Sequence, residues 1–190
     1  MSRKISWLGY KAKSQLVSEA RFFVLIAIAF IVGGIILIAK GEDLGLGKDV
    51  STLSVILFVI AAISIVIVAV KINTYILYIR QLEELPEDEY EYLHRSESKS
   101  HYGIWYSKHH IVAPEGFLIE KIRNVQKFDI LKKRTNGALE VFIIVYFNTS
   151  RKEVRVPVNG TDLPGREIGL VLQKMKEEDR KESQKAQKKK

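Results

Sequence analysis

Two unbroken apolar runs dominate the first half of the chain. Residues 22–39 read FFVLIAIAFIVGGIILIA and residues 53–70 read LSVILFVIAAISIVIVAV, and neither run of 18 residues contains a charged side chain. A helix of that length is about 27 Å long, close to the ~30 Å hydrocarbon core of a bilayer. The 190-residue chain has too few other residues to bury two such helices. We therefore predict a transmembrane hairpin (residues 22–85 with its extension) rather than two core helices of a soluble protein.

The helical pattern of the second run continues past its charged boundary at Lys71. Apolar positions recur three and four residues apart, which indicates one face of a helix, and Pro86 then ends the pattern because proline breaks helix interiors. We predict that the second helix extends as a stalk to about residue 85, with Tyr75 and Tyr78 in the headgroup layer. The apolar positions of this stalk are Ile72, Tyr75, Ile76, Ile79 and Leu82.

An acidic and polar segment follows at residues 86–100. Clustered carboxylates can bind metals or exchange protons, but these lie on both sides of Pro86 and no histidine is placed by the sequence to join them. We therefore favour a solvated linker. Six acids lie within residues 83–91, namely Glu83, Glu84, Glu87, Asp88, Glu89 and Glu91.

Residues 101–176 change to the two-residue period of β-strands. Asn136-Gly137 predicts a tight hairpin turn, because this pair accepts positive φ at low cost. The nearly continuous apolar segment 138–147 is typical of a central strand covered on both faces, and Pro157 places the last strand at a sheet edge. Strands are predicted over residues 102–107, 108–113, 117–119, 126–134, 138–147 and 153–158.

One helix closes the β domain. Asp162 can cap it and Pro164 suits its first turn, and its apolar stripe consists of Ile168, Val171, Leu172 and Met175. Residues 177–190 (EEDRKESQKAQKKK) cannot build a core, so we expect this tail to fray or be disordered. The predicted fold class is an α+β membrane protein: a two-helix transmembrane hairpin, then an antiparallel β domain of about five or six strands closed by a C-terminal helix.

This order of elements resembles that of bacterial membrane-anchored pleckstrin-homology-like domains. The resemblance covers residues 102–175 and rests on strands followed by a helix, with the segment FLIEKIRNV at 117–125 crossing over before a basic Asn136-Gly137 hairpin. In that group two membrane spans often precede the domain, and the function of most members is unassigned. The resemblance implies a seven-stranded domain, of which this chain is expected to lack one strand, and it transfers no binding residues.

Charge sets the expected orientation. The formal net charge is +8, and Lys and Arg residues favour the cytoplasmic side of short flanks. The connecting loop contains only Lys40 and Lys48, whereas Lys71 and Arg80 follow the second span and the arm before the first span contains Arg3, Lys4, Lys11, Lys13 and Arg21. We predict a multi-pass protein of the cell membrane with both its N-terminus and its C-terminus in the cytoplasm.

The first span could instead be a signal peptide. Its apolar stretch is longer than the h-region of roughly 7–15 residues, and Lys40 directly follows Ala39, so we expect the span to be retained.

The preceding arm, residues 1–21, combines basic and apolar residues. This pattern suits an amphipathic helix in the headgroup layer and equally a disordered arm. Its apolar positions are Ile5, Trp7, Leu8 and Tyr10.

The sequence carries little recognisable chemistry. It contains no cysteine, which excludes disulfides, thiolate metal sites and cysteine nucleophiles. His109 and His110 are adjacent on a predicted strand, so their side chains point to opposite faces and cannot readily share one metal ion. No nucleophile elbow, phosphate loop or dinucleotide motif is present. We expect no cofactor, no metal and no enzymatic activity.

Two groups of residues are candidate contact sites. Gly33 and Gly34 would let helices approach closely, although glycine is also common in membrane helices. The basic hairpin consists of Lys127, Lys132, Lys133 and Arg134. It could dock on anionic headgroups or an acidic partner, or it could simply be solvated. Nucleic acid is not an expected partner, because no exposed aromatic residues alternate with these cations.

These features favour a non-catalytic, membrane-tethered module whose cytosolic domain binds a protein partner or anionic lipid headgroups of the bilayer. One alternative is an accessory subunit of a larger membrane complex, such as a transporter or secretion machine, assembled through its spans with another membrane protein or as a homo-oligomer. A second alternative is a membrane enzyme that uses histidine and acidic residues. Spans without internal charge argue against an ion path.

Overall fold

A computed structural model describes residues 7–41, 49–95, 99–135, 138–148, 153–158 and 168–188. The chain divides into two compact units. The helical unit is Lys13–Leu77, and the β unit combines Met1–Ala12 with Tyr78–Lys190. The predicted turn at Asn136-Gly137, the predicted helix cap at Asp162 and Pro164, and the loop at 42–48 lie outside the described residues.

Two long helices supply the helical unit. Helix α1 (Trp7–Lys40) has 34 residues and helix α2 (Asp49–Glu83) has 35. Small residues lie at the contact between α1 and α2. Ala27 and Ala61 are buried, and a Cβ atom added to Gly34 would lie 2.9 Å from the Phe58 ring. Glu19 of α1 also forms an ion pair with Lys71 of α2.

The apolar windows of both helices are largely uncovered by the rest of the chain. Each helix is long and apolar enough to cross a bilayer. We call the apolar stretch of 18 residues in each helix its apolar window, and only 11% of the α1 window and 17% of the α2 window is buried. The two buried polar side chains of α2 form hydrogen bonds within the helix. The hydroxyl groups of Ser54 and Ser64 donate to the carbonyl groups of Val50 and Ile60, at 2.8 and 2.9 Å.

Two antiparallel sheets form the centre of the β unit. The first has the strand order β1-β2-β3-β4 and the second the order β5-β6-β7. Helix α3 (Glu87–His94) precedes the sheets and helix α4 (Ile168–Lys188) follows them. The strands are β1 (Lys99–His101), β2 (Ile104–Tyr106), β3 (His110–Ala113), β4 (Leu118–Lys121), β5 (Val125–Thr135), β6 (Ala138–Phe147) and β7 (Glu153–Pro157).

The inner faces of the two sheets enclose one apolar core with α4. In the first sheet, Tyr106 lies opposite Ile111, and Ala113 lies opposite Leu118. The α4 stripe closes this core as the sequence predicts, through Ile168, Leu172 and Met175, with Val171 partly buried beside them. Further members of the core are Ile104, Ile122, Val125, Phe128, Ile143, Val145, Phe147, Val154 and Val156.

Helix ends cover the outer face of the first sheet. Trp105, Val112 and Ile119 lie in one cross-strand row on that face, and Val112 and Ile119 are buried. The Trp7 ring meets the Trp105 ring edge-to-face with centroids 5.1 Å apart, and Tyr78 meets Phe117 in the same way at 6.3 Å. Buried residues of the covering segments are Leu8, Ala12, Tyr78, Leu82, Leu85 and Leu93.

The α+β class is confirmed: two long apolar helices, antiparallel strands and a C-terminal helix. Five or six strands were expected, whereas the described residues form seven. The additional strand, β1, precedes Tyr102 and Gly103, which the alternation assigned to a strand. Both residues have positive φ, 52° and 84°, which suits the two central residues of a tight hairpin turn.

Three segments differ from their expected states: the solvated linker, the frayed or disordered tail, and the arm that was expected either in the headgroup layer or disordered. The linker at 86–100 contains α3, with Leu93 fully buried. Helix α4 continues through the tail at 177–190 as far as Lys188. The arm is helical from Trp7 and buries Leu8. In the linker and the arm, burial of Leu93 and Leu8 outweighs a polar local composition. The tail instead continues a helix whose buried stripe ends at Met175, and its Asp179 contacts His109. Tyr78 is likewise buried rather than placed in a headgroup layer.

Candidate functional site

A buried carboxylate joins helix α3 to the first sheet. The Glu89 side chain is 4% exposed and accepts a hydrogen bond from His110 Nδ1 at 2.6 Å. Its Oε2 atom also accepts a hydrogen bond from the Ser107 hydroxyl group. The turn at 107–110 positions both donors, because the Ser107 N–H donates to the His110 carbonyl group at 2.8 Å and the His110 N–H donates to Ser107 Oγ at 3.2 Å.

These donors determine the charge state of Glu89. Burial alone would raise the pKa of this carboxyl group, since it penalises the charged form. The hydrogen bonds from His110 and Ser107, and the charges of His110 and His109, outweigh burial and hold the pKa of Glu89 below its ordinary value of 4.5. The group is therefore a carboxylate at neutral pH, fixed in place by its two donors.

The neighbouring histidine contacts a different helix. His109 Nδ1 lies 2.6 Å from an Asp179 carboxylate oxygen on α4, so the two adjacent histidines contact α4 and α3 respectively. A cleft of about 320 Å³ lies between these pairs. Lys121, Arg123 and Ser183 also line it, which gives the cleft charges of both signs.

The hydrogen bonds of this cluster differ from those of a Ser-His-acid triad. In a Ser-His-acid triad the hydroxyl group donates to the histidine ring and the acid orients that ring. Here the Ser107 hydroxyl group and the His110 ring both donate to the same Glu89 oxygen. Among the described residues, no three His, Asp or Glu side chains come together in a way that could hold a metal ion.

The basic hairpin is divided by its register. Lys127 lies opposite Tyr146 and Lys133 opposite Glu140 on one face of the sheet, whereas Lys132 lies opposite Val141 and Arg134 opposite Leu139 on the other. The four cations predicted as one group are thus two pairs that point in opposite directions.

The two pairs differ in what surrounds them. Lys127 Nζ is 3.7 Å from an Asp129 oxygen and 4.5 Å from the centroid of the Tyr146 ring. Lys133 faces Glu140, whose Oε2 atom accepts a hydrogen bond from the Thr135 hydroxyl group at 3.0 Å. On the opposite face, Lys132 and Arg134 are exposed beside Leu139, whose side chain is 51% exposed.

The two candidate glycines differ in how closely they approach α2. A Cβ atom on Gly34 would lie 2.9–3.3 Å from three atoms of the Phe58 ring, whereas one on Gly33 would lie 3.6 Å from Leu57. The second distance is ordinary van der Waals contact, so the close approach belongs to Gly34. Both glycines face α2 of the same chain.

Sequence reasoning missed the Glu89 cluster. Glu89 and His110 are 21 residues apart, and Glu89 is one of six acids in a segment that looks uniformly polar. The available signal was the helical spacing of Glu89 and Leu93, four residues apart, which puts both on one side of α3. Both are buried.

Comparison with known proteins finds no matching family model, no matching curated protein and no matching solved structure. A function for the chain is therefore proposed from its geometry.

Proposed function

We propose that this chain is a membrane-anchored, non-catalytic docking module of the cell membrane. Its two apolar helices cross the bilayer, and its β unit is a pleckstrin-homology-like domain that binds at the cytoplasmic surface. The observation that carries the proposal is the exposure of the two apolar helices: about nine-tenths of the α1 window and five-sixths of the α2 window is not covered by the chain. Water disfavours such a surface, whereas a bilayer solvates it.

Contacts within the β unit support the predicted topology. Trp7 precedes the first apolar run and Trp105 follows the second, and their rings are in contact. The segment before the first span and the β domain must therefore be on the same side of a membrane that both helices cross. This contact also favours retention of the first span, because cleavage after it would remove a folded part of the β unit.

The order of strands and helix in the β unit supports its assignment as a pleckstrin-homology-like domain. Four strands and three strands form two antiparallel sheets, and a C-terminal helix closes the core between them. This supports the resemblance and removes the expected missing strand. The Ser107 hydroxyl group and the His110 ring both donate to the buried Glu89 carboxylate, and this arrangement, unlike a Ser-His-acid triad, supports a binding role over a catalytic one.

Assembly with another membrane protein through Gly33 and Gly34 is less well supported. Phe58 of the same chain already lies against Gly34, so this face is occupied within the hairpin. A partner in the membrane would have to use another face of the helices.

Topology is tested by labelling single cysteines in a chain that has none of its own. Asp43→Cys lies in the predicted outer loop, and Ala186→Cys lies at an exposed position of α4. A membrane-impermeant maleimide should label the first in intact cells and the second only after permeabilisation, and alkaline carbonate should not extract either variant. Recovery in the carbonate supernatant, or labelling of Ala186→Cys in intact cells, would refute the proposal.

The docking role is tested by affinity purification of the full chain from mild detergent, followed by mass spectrometry. A partner that stays bound to the wild type should be lost when residues 99–190 are deleted and the spans are kept. If the partner remains on this truncated chain, the spans are the interface and the chain is an accessory subunit instead. If no protein co-purifies, lipid remains as the ligand of the β unit, and vesicle binding tests it directly.

A further inference from the structure

The β5–β6 hairpin extends beyond the rest of its sheet. Strand β7 pairs with β6 only between Phe142 and Tyr146, and one more backbone hydrogen bond joins the Val158 N–H to the Val141 carbonyl group at 2.9 Å. Beyond Val141, β5 and β6 pair only with each other among the described strands. We call residues 132–135 and 138–141 the hairpin tip.

The two faces of the hairpin tip have different chemistry. Cross-strand partners share a face, so Lys132, Arg134, Leu139 and Val141 lie on one face of the tip. Val141 is buried, and we call the other three residues the cationic tip face. This face has two exposed cations, one leucine that is 51% exposed, and no carboxylate among its described residues. On the other face Lys133 lies opposite Glu140, so its charge is locally balanced.

Two cations around an exposed aliphatic side chain suit an anionic bilayer surface. Lys and Arg residues are attracted to anionic headgroups, and an aliphatic side chain between them can enter the boundary of the acyl chains. Nucleic acid fits less well, because Leu139 cannot stack on bases as an aromatic residue would. Anchoring by the spans would also keep the tip near lipid at a high effective concentration.

We propose that the cationic tip face docks on anionic phospholipid, with Lys132 and Arg134 at the headgroups and Leu139 in the interface. The inference rests on the proposed membrane anchoring and names the lipid surface as the ligand of the β unit. It assigns no role to Lys127 or Lys133, which lie on the opposite face of the hairpin.

The test uses the full-length Leu139→Cys variant, labelled with bimane and reconstituted into vesicles that contain nitroxide-labelled lipid. Vesicles of phosphatidylcholine alone are compared with vesicles that also contain phosphatidylglycerol. We expect severalfold stronger quenching with the anionic lipid, and we expect high salt to reverse it, since salt screens exposed charges. The control Leu170→Cys, at an exposed position of α4, should be quenched weakly in both vesicles.

Two double variants with equal loss of charge test the face. Lys132→Gln with Arg134→Gln should remove most of the quenching at position 139, and Lys127→Gln with Lys133→Gln should retain most of it. Circular dichroism and thermal unfolding confirm that both variants fold. Equal losses in the two variants would overturn the inference, because general charge attraction would then be sufficient.

Two further outcomes separate this inference from the anchoring on which it rests. If carbonate extracts the chain from the vesicles, the anchoring fails and this inference fails with it. If the chain resists extraction but Leu139→Cys is quenched equally with and without phosphatidylglycerol, only the docking inference fails. If the bimane at position 139 becomes shielded from solvent only when an acidic protein is added, lipid is likewise overturned as the ligand.

Discussion

At the residue scale, two adjacent histidines contact two different helices, because His109 lies in the turn at 107–110 and His110 begins β3. His110 contacts Glu89 of α3 and His109 contacts Asp179 of α4. The two pairs differ in burial: the Glu89 and His110 side chains are 4% and 14% exposed, and the His109 side chain is 38% exposed. Since water competes for exposed pairs and not for buried ones, the two contacts should have unequal effects on stability.

Replacement of His110 should therefore destabilise the β unit more than replacement of His109. His110→Ala removes a donor from the buried Glu89 carboxylate, and we expect a loss of about 3 kcal/mol in the free energy of unfolding. His109→Ala should cost less than about 1 kcal/mol. Urea unfolding in detergent micelles, followed by tryptophan fluorescence, measures both. Equal losses would contradict the assignment of Glu89 as the buried member.

The Glu89 pKa predicts a pH dependence with a definite sign. Because this pKa is lower in the folded chain than the ordinary value of 4.5, the carboxylate stabilises the fold above pH 4.5, and this contribution is lost as the pH falls through the lower, folded pKa. The difference in unfolding free energy between the wild type and Glu89→Gln should be constant near neutral pH.

That difference should shrink as the pH is lowered from about 6 to about 3. The other charged groups lining the cleft, Asp179, Lys121, Arg123 and the two histidines, are present in both proteins. A difference that stays constant over the whole range would show that Glu89 titrates at the same pH in the folded and unfolded chain.

At the element scale, α1 and α2 depend on small residues for their contact. Gly34 lies against the Phe58 ring, while Gly33 leaves ordinary contact distance to Leu57. Without hydrophobic driving force in a bilayer, such close packing is a main source of attraction between helices.

Leucine at position 34 should separate the two helices. A short cross-linker applied to Gly33→Cys with Leu57→Cys should join α1 to α2 in high yield, since these positions are in contact. Adding Gly34→Leu should lower this yield severalfold because its side chain would occupy the space of Phe58. The matched change Phe58→Leu, which shortens the opposing side chain, should retain the cross-link. If Gly34→Leu leaves the yield unchanged, the helices do not pack at this point.

At the scale of the whole molecule, the β unit includes chain from both sides of the helical unit. Residues Met1–Ala12 and Tyr78–Lys190 cluster together, and the ends of α1 and α2 belong to the cover over Trp105, Val112 and Ile119. Burial of a large apolar side chain contributes about 1.5–3 kcal/mol, so this cover is a substantial part of the stability of the β unit.

A fragment of residues 99–190 should therefore fold poorly or aggregate, because it would expose this outer face to water. Fragment 78–190 keeps Tyr78, Leu82 and Leu93, and it should be more soluble and bind less of an apolar fluorescent dye. Solubility and dye binding measured on both fragments give the comparison. Equal behaviour of the two would show that the helix ends are dispensable for the sheet.

The local sequence pattern predicted the positions of helices and strands more accurately than it predicted which residues pack around them. The predicted strand 138–147 matches β6 at both ends, and the stripe of α4 closes the core. The division of the basic hairpin was also available from strand alternation, although the acid opposite Lys133 depends on the register. The linker was predicted to be solvated, but its Leu93 is fully buried. The tail was predicted to fray or be disordered, but it is helical to Lys188 and its Asp179 contacts His109.

What the sequence determined by itself is the set of properties that depend on near neighbours: two apolar runs of membrane length, the alternation of strands and the stripe of α4. What only the tertiary structure decided depends on residues far apart in the chain. Examples are the Glu89–His110 pair, the ring contact of Trp7 with Trp105, and Leu139 beside Arg134. The physical reason is that burial and hydrogen bonding at these positions come from partners that the local sequence does not contain.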